Sequence, residues 1–285
     1  MTKTIAVVGA TGNVGGRVAA KLAAKGFKVR GITRHGATQG GAPVKADLTK
    51  PAEARRALEG CQAMYLTLAL DTDDPLGHQR AVVENALDAA QRAGVRHIVA
   101  HTLVQADRGN TGSKVIDEKH AVEGLIEEAG VPFTVLRPGW FLQMLHPLKP
   151  AFEQGALPLP LPPGVPFAVV SAEDVATAAC AFFELGPQDR GFDVHVSATG
   201  EDLARAIGEA RGAPVRFVPM AGQARQWAEP IPVSPAFKEL IAGMFDYAAQ
   251  GAMQGKPGEV QRILPGFRYT TVDEFARTEL YPRAR

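Results

Sequence analysis

Residues 9–16, Gly9-Ala10-Thr11-Gly12-Asn13-Val14-Gly15-Gly16, constrain this chain more than any other stretch. They follow the apolar run Ile5-Ala6-Val7-Val8, which has the unbroken hydrophobicity of a strand buried on both faces. Val14, Val18 and Leu22 then recur at helical spacing until Gly26 stops them. The glycines therefore occupy a strand-to-helix turn. In such a turn one glycine permits the sharp bend, one lets the backbone approach a pyrophosphate, and one lets the helix pack closely on the strand. The unpaired N–H groups and the positive dipole end of the helix favour an anion there, and Thr11 and Asn13 offer additional donors. The spacing is G-x-x-G-x-x-G, one residue longer between its first two glycines than the usual dinucleotide fingerprint.

The rest of the first half repeats the same alternation. Strands are expected at residues 27–34, 44–46, 63–70, 97–102 and 133–136, separated by helices beginning near Pro51, after Gly77 and near Ser113. Residues 71–77 read as a polar loop at a strand's carboxyl end, an edge that lines the ligand crevice of an open α/β sheet. This order predicts a doubly wound parallel sheet, a Rossmann α/β fold, over residues 1–150. Residues 157–166 carry five prolines and are expected to cross or cover the sheet without regular structure. Residues 167–170, 173–185 and 192–196 read as elements completing the sheet, and 151–166 with 201–285 as a smaller α/β substrate cap.

Charge and cysteine usage narrow the partners. Thirty-one basic and 30 acidic side chains leave a net charge of +1 without a basic run, so neither nucleic acid nor a membrane surface is expected as partner. A small molecule fits better. Cys61 and Cys180 lack C-x-x-C spacing, and His97 and His101 share a strand face without a third ligand, so no metal site is expected. The N-terminus enters a strand directly, without a signal-peptide pattern, which favours a cytoplasmic location. The sequence holds neither a G-x-S-x-G elbow nor a G-x-x-x-x-G-K-[ST] loop.

Two positions speak to cofactor choice and chemistry. At the end of the second strand an acidic residue would bind a ribose 2′-hydroxyl, whereas Arg34 offers a planar fork to a 2′-phosphate; the competing reading is a solvated loop charge. His101 and Thr102 end the fifth strand at the ligand edge, although a satisfied loop histidine is the favoured account of His101.

Four stretches together resemble the NmrA-like, atypical short-chain dehydrogenase/reductase family, which includes NADPH-dependent quinone reductases and triphenylmethane reductases. They are the GATGNVGG turn, Gly31-Ile32-Thr33-Arg34, Asp117-Glu118-Lys119 leading into residues 133–141, and Ser171-Ala172-Glu173-Asp174-Val175-Ala176. The resemblance implies NADP(H) as cofactor, with phosphate binding at Gly9, Thr11, Gly12, Asn13, Val14 and Gly15, a 2′-phosphate clamp at Arg34, an adenine contact at Asp47, and Leu48 as a further cofactor-binding residue. It also implies that Thr67 and Leu68 run along the cofactor's middle and that Pro138 and Gly139 lie against the nicotinamide. Lys119 matches the lysine of Tyr-x-x-x-Lys, but position 115 is Val, so no phenol stands there to pass a proton. Lys119 and Thr102 remain as catalytic candidates, and His101, Trp140 and Phe141 as the wall of an acceptor site, with core packing the rival role for the two aromatics. The expected activity is hydride transfer from NADPH to a small conjugated or quinone-like acceptor by a monomer or homodimer. The alternative is an NADP(H)-binding redox sensor without turnover.

Overall fold

Alternation of side chains explains why the first strand is apolar throughout. In β1 (Thr4–Val8), Ile5 and Val7 enter one core while Ala6 and Val8 enter another on the opposite face. The computed structural model describes residues 3–34, 36–67 and 74–282. The first half continues with α1 (Asn13–Ala24), β2 (Lys28–Thr33), β3 (Ala42–Lys45), α2 (Pro51–Leu58), β4 (Ala63–Leu66), α3 (Pro75–Ala93), β5 (Ile98–His101), α4 (Lys114–Glu128) and β6 (Phe133–Pro138). The second half holds β7 (Trp140–Phe141), α5 (Lys149–Glu153), β8 (Ala156–Leu159), β9 (Phe167–Val170), α6 (Ala172–Leu185) and β10 (Arg190–Val194). It closes with β11 (Val196–Ala198), α7 (Gly200–Arg211), β12 (Arg216–Pro219), α8 (Ala224–Ala228), α9 (Pro235–Ala249), α10 (Glu259–Ile263) and α11 (Val272–Phe275).

Seven strands form one parallel sheet in the order β10-β6-β5-β4-β1-β2-β3. Helices α1 and α6 pack together on the face that holds Ile5, Val7 and Tyr65; α2, α3 and α4 cover the face that holds Val8, Met64 and Ala100. This is the Rossmann-like, doubly wound architecture. Strand order reverses between β1 and β4, so the crevice opens outside the carboxyl ends of those two strands, where the glycine turn and Thr67 sit.

The second half departs from the sequence reading in three places. Residues 167–170 do not join the main sheet: β9 pairs antiparallel with β11 and parallel with β7 in a separate three-stranded sheet. The proline-rich stretch is not wholly irregular, because Ala156–Leu159 is a strand paired with β12. Pro158 is tolerated there since a strand of a two-stranded sheet is always an edge. The expected strand at 192–196 is split, with β10 in the main sheet and β11 in the smaller one. A third core gathers Trp140, Phe152, Phe167, Trp227 and Phe245 from these segments.

Boundaries moved for local reasons. The polar loop read to Gly77 gives way to helix at Pro75, because Asp74 caps α3 by accepting from the Gly77 N–H at 3.0 Å and Pro75 suits a first helical position. Strand β4 ends at Leu66, and Leu68, expected beside the cofactor, lies outside the described residues. Among the described residues no helix is long and apolar enough to cross a membrane.

Candidate functional site

The site begins at the glycine turn. Gly9 adopts a left-handed φ of 69°, and its carbonyl accepts from the Gly12 N–H at 2.9 Å, closing the bend. A side chain at Gly15 would place its Cβ 2.2 Å from the Gly9 carbonyl oxygen, so Gly15 is the residue that lets α1 rest on the turn. The first helical bond runs from Gly16 N–H to the Gly12 carbonyl, which leaves the N–H groups of Asn13, Val14 and Gly15 without intrahelical acceptors. Helix α1 has neither a side-chain cap nor an acidic residue in its first turn, whereas α6, α7 and α11 have both. The positive end of α1 is thus left to whatever enters the crevice.

A cavity of 520 Å³ runs along the carboxyl edge of the sheet from this turn in both directions. Gly9, Thr11, Gly12, Asn13, Val14 and Gly15 form its middle. Arg34, Asp47 and Leu48 line the end beyond β2 and β3, together with Ile32, Thr33 and Ala46. Arg34 is exposed on the rim. Asp47 accepts from both the hydroxyl and the N–H of Thr49, at 2.7 and 3.0 Å, and the hydroxyl bond holds its carboxyl below the usual range. It is an acceptor-only group on the cavity wall.

The other end is built differently. Thr67 and His101 meet Gln79 and Val82 of α3 and a wall of Phe141, Met144 and Phe237. The His101 Nδ1 lies 2.7 Å from the Tyr65 hydroxyl and its Nε2 3.1 Å from Thr67 Oγ1, and its ring meets Phe141 edge to face at 6.1 Å. Burial, with the Lys119 ammonium nearby, lowers the His101 pKa to about 3. Lys119 is buried and donates to Gln79 Oε1; burial lowers its pKa to about 8, against the opposing charge of Glu118.

Several expected contributors stand off this cavity. Lys119 is one side chain behind the wall, donating to Gln79, which lines it. Thr102, expected beside His101, is turned away, because successive residues of a strand face opposite sides. Its hydroxyl donates to Glu123 Oε1 at 2.6 Å, joining the buried Arg137–Glu123 ion pair over α4. Trp140 is 4% exposed and packs on Phe167 and Phe245, each 5.9 Å away, so it belongs to the third core and does not wall the cavity. Pro138 and Gly139 do not line it either: a Cβ at Gly139 would meet the Ala168 backbone at 2.5 Å, so its bareness serves the approach of β9. Gln79, Met144 and Phe237 line the cavity without belonging to any of the motifs read from the sequence. Gln79 has a signal, as a polar residue on the otherwise apolar buried face of α3; Met144 and Phe237 carry no local signal.

The fold and the glycine-turn crevice define a Rossmann-type α/β protein. The model of the NmrA-like family matches residues 1–276, and the chain belongs to that family. It is similar to the NAD(P)H azoreductase of Xenophilus azovorans, 28% identical over 286 residues that span 96% of each chain. Its fold is shared by the NADPH-dependent quinone oxidoreductase QOR2 of Escherichia coli, solved with NADPH. That match has a TM-score of 0.82 at 22% identity, over 95% of this chain and 98% of the other. NmrA, a negative transcriptional regulator solved in complex with NADP, aligns with a TM-score of 0.76 at 20% identity, over 99% of this chain and 96% of its own.

Proposed function

We propose that the cavity binds NADP(H) and that the protein is a reductase of a small, planar, conjugated acceptor such as a quinone or azo compound. The observation that carries this reading is the continuity of one cavity from an anion-seeking turn, with Arg34 at one end, to the aromatic and thioether wall of Phe141, Met144 and Phe237 at the other. The residues fit a dinucleotide. The bare helix start suits a pyrophosphate, the Arg34 guanidinium suits a 2′-phosphate, and the cavity volume falls within the range of about 300–1,000 Å³ usual for ligand sites. The bound cofactor supplies the hydride. The chain orients: Phe141 and Phe237 offer flat apolar faces for a planar acceptor, and Thr67 and Gln79 fix polar contacts beside them. Among the described residues no side chain at this end is set up as a strong acid, since His101 stays neutral and Val115 replaces the usual phenol. A quinone-like acceptor tolerates this, because water completes the protonation of its reduced form.

The same lack of an acid is what favours a second reading, a sensor that binds NADP(H) without turnover, as the likeness to a regulator also suggests. Steady NADPH oxidation by the purified protein with a panel of quinones and azo dyes decides between them. Sustained, acceptor-dependent oxidation supports the reductase. Saturable NADPH binding without any oxidation supports the sensor, and absence of NADPH binding removes both.

A further inference from the structure

The polar pair at the acceptor end is part of a longer chain of hydrogen bonds. Tyr65 and Thr67 lie two positions apart on β4 and just beyond it, and so share a face; the register Leu66↔Ala100 sets His101 of β5 opposite Thr67. Tyr65 is fully buried, and burial pushes its phenol well above the ordinary range, so it keeps its proton. Among the described residues His101 Nδ1, at 2.7 Å, is the partner of that hydroxyl. Were Nδ1 itself protonated, the phenol proton would be left in the core without an acceptor, at a cost of about 1–3 kcal/mol. Nδ1 therefore accepts, Nε2 carries the imidazole proton, and Nε2–H donates to Thr67 Oγ1 at 3.1 Å.

That sequence of donors fixes the last hydroxyl. Thr67 Oγ1 receives a hydrogen bond from behind, and no described residue accepts its own proton, which leaves the cavity. The methyl group is committed elsewhere. It faces the glycine turn, where a Cβ on Gly9 would come within 2.6 Å of Cγ2 and one on Gly15 within 3.3 Å. The hydroxyl thus points away from the phosphate-binding turn and toward His101, whose ring abuts Phe141.

Resting on the reductase reading above, we propose that Thr67, held by the Tyr65–His101 chain, is a dedicated hydrogen-bond donor to the acceptor's carbonyl oxygen, the atom that gains negative charge as hydride arrives at the conjugated system. The interaction strengthens as that charge develops, so it acts on turnover more than on binding. It also selects the substrate class: an uncharged planar acceptor with a hydrogen-bond-accepting heteroatom fits, because both ends of the imidazole are already committed.

Two measurements test this. Nitrogen-15 NMR of histidine-labelled protein without ligand should show His101 protonated at Nε2 with a lone pair at Nδ1, and Tyr65→Phe should convert it to a tautomer mixture. A wild-type His101 protonated at Nδ1 overturns the proposal. With menadione as probe, Thr67→Val, which keeps the shape and removes the hydroxyl, should lower kcat about tenfold while the NADPH Kd stays within about twofold, and Thr67→Ser should restore the rate. Unchanged turnover in Thr67→Val, or a matching loss of NADPH affinity, overturns the inference alone. A wild type that oxidises no NADPH with menadione or any other acceptor overturns the reductase reading instead.

Discussion

The two ends of the cavity recognise by opposite means. At the Arg34 end the wall is made by the carboxyl ends of β2 and β3, the charges are near solvent, and each contributor lies within the first 48 residues. At the Phe141 end the wall is assembled from α3, β5, the segment after β6 and α9, and its polar groups are bound to one another before any ligand arrives. One end is a local device readable from a turn and a strand end. The other exists only because the second half of the chain folds back over the sheet.

Breaking the support behind the assembled end should have the largest effect. Trp140→Ala removes a ring packed between Phe167 and Phe245 and is expected to cost about 3–5 kcal/mol of stability, measured by urea unfolding. The surviving folded enzyme should keep its acceptor KM; a raised KM with undiminished stability would return Trp140 to the cavity wall. Gly12→Val strikes between the two ends. The new side chain would occupy the anion's place beside the Gly9 carbonyl, already only 3.2 Å from a Cβ at this position, and NADPH and NADH affinity should both fall more than about a hundredfold in a folded protein. Retained affinity would move the nucleotide elsewhere.

Acid distinguishes the ends by stability. His97 and His101 are held neutral, with pKa values of about 4 and about 3, chiefly by burial. A histidine depressed in this way contributes stability that is full above its unfolded value of about 6.5 and is lost as pH falls toward the folded value. Between pH 7 and 4.5 each should cost the fold on the order of 2–3 kcal/mol. His101→Phe should flatten that part of the pH dependence and Arg34→Ala should not. Equal curves for wild type and His101→Phe would show that the buried end carries no such load.

The smallest effect is expected at the exposed end. Arg34→Ala removes a charge-assisted contact worth about 1.5–3 kcal/mol, so NADPH affinity should fall about tenfold to a hundredfold while NADH is barely affected. Equal losses for the two cofactors would take the 2′-phosphate away from Arg34.

This contrast also explains what was legible in the sequence. The parallel sheet could be read because each buried strand is a short apolar run closed by glycine or a polar turn, and the glycine turn could be placed because strand and helix signals flank it. What could not be read depends on pairing between distant segments. Residues 167–170 look like any buried strand, and nothing local tells that they pair with Trp140–Phe141 and Val196–Ala198 and not with the main sheet. His101 and Thr102 are adjacent, and which of them faces the crevice depends on the face β5 presents to α4. Phe237 reaches the site only through the docking of α9, so its role is invisible at residue 237 itself.

The position of β10 has a consequence for how the chain is made. It seals the outer edge of β6, yet it is synthesised after β7, β8, β9 and α6. A nascent chain whose first six strands have emerged therefore carries a bare strand edge, which is where stray chains add on. Residues 190–194 close that edge, and Gly139 N–H then donates to the Val194 carbonyl at 3.2 Å just where the chain leaves for the smaller sheet. Truncation near residue 150 would leave the edge open for good, so the aromatic cover must be exchanged as an internal cassette, with β10 kept, if a relative's acceptor preference is to be grafted onto this nucleotide-binding sheet.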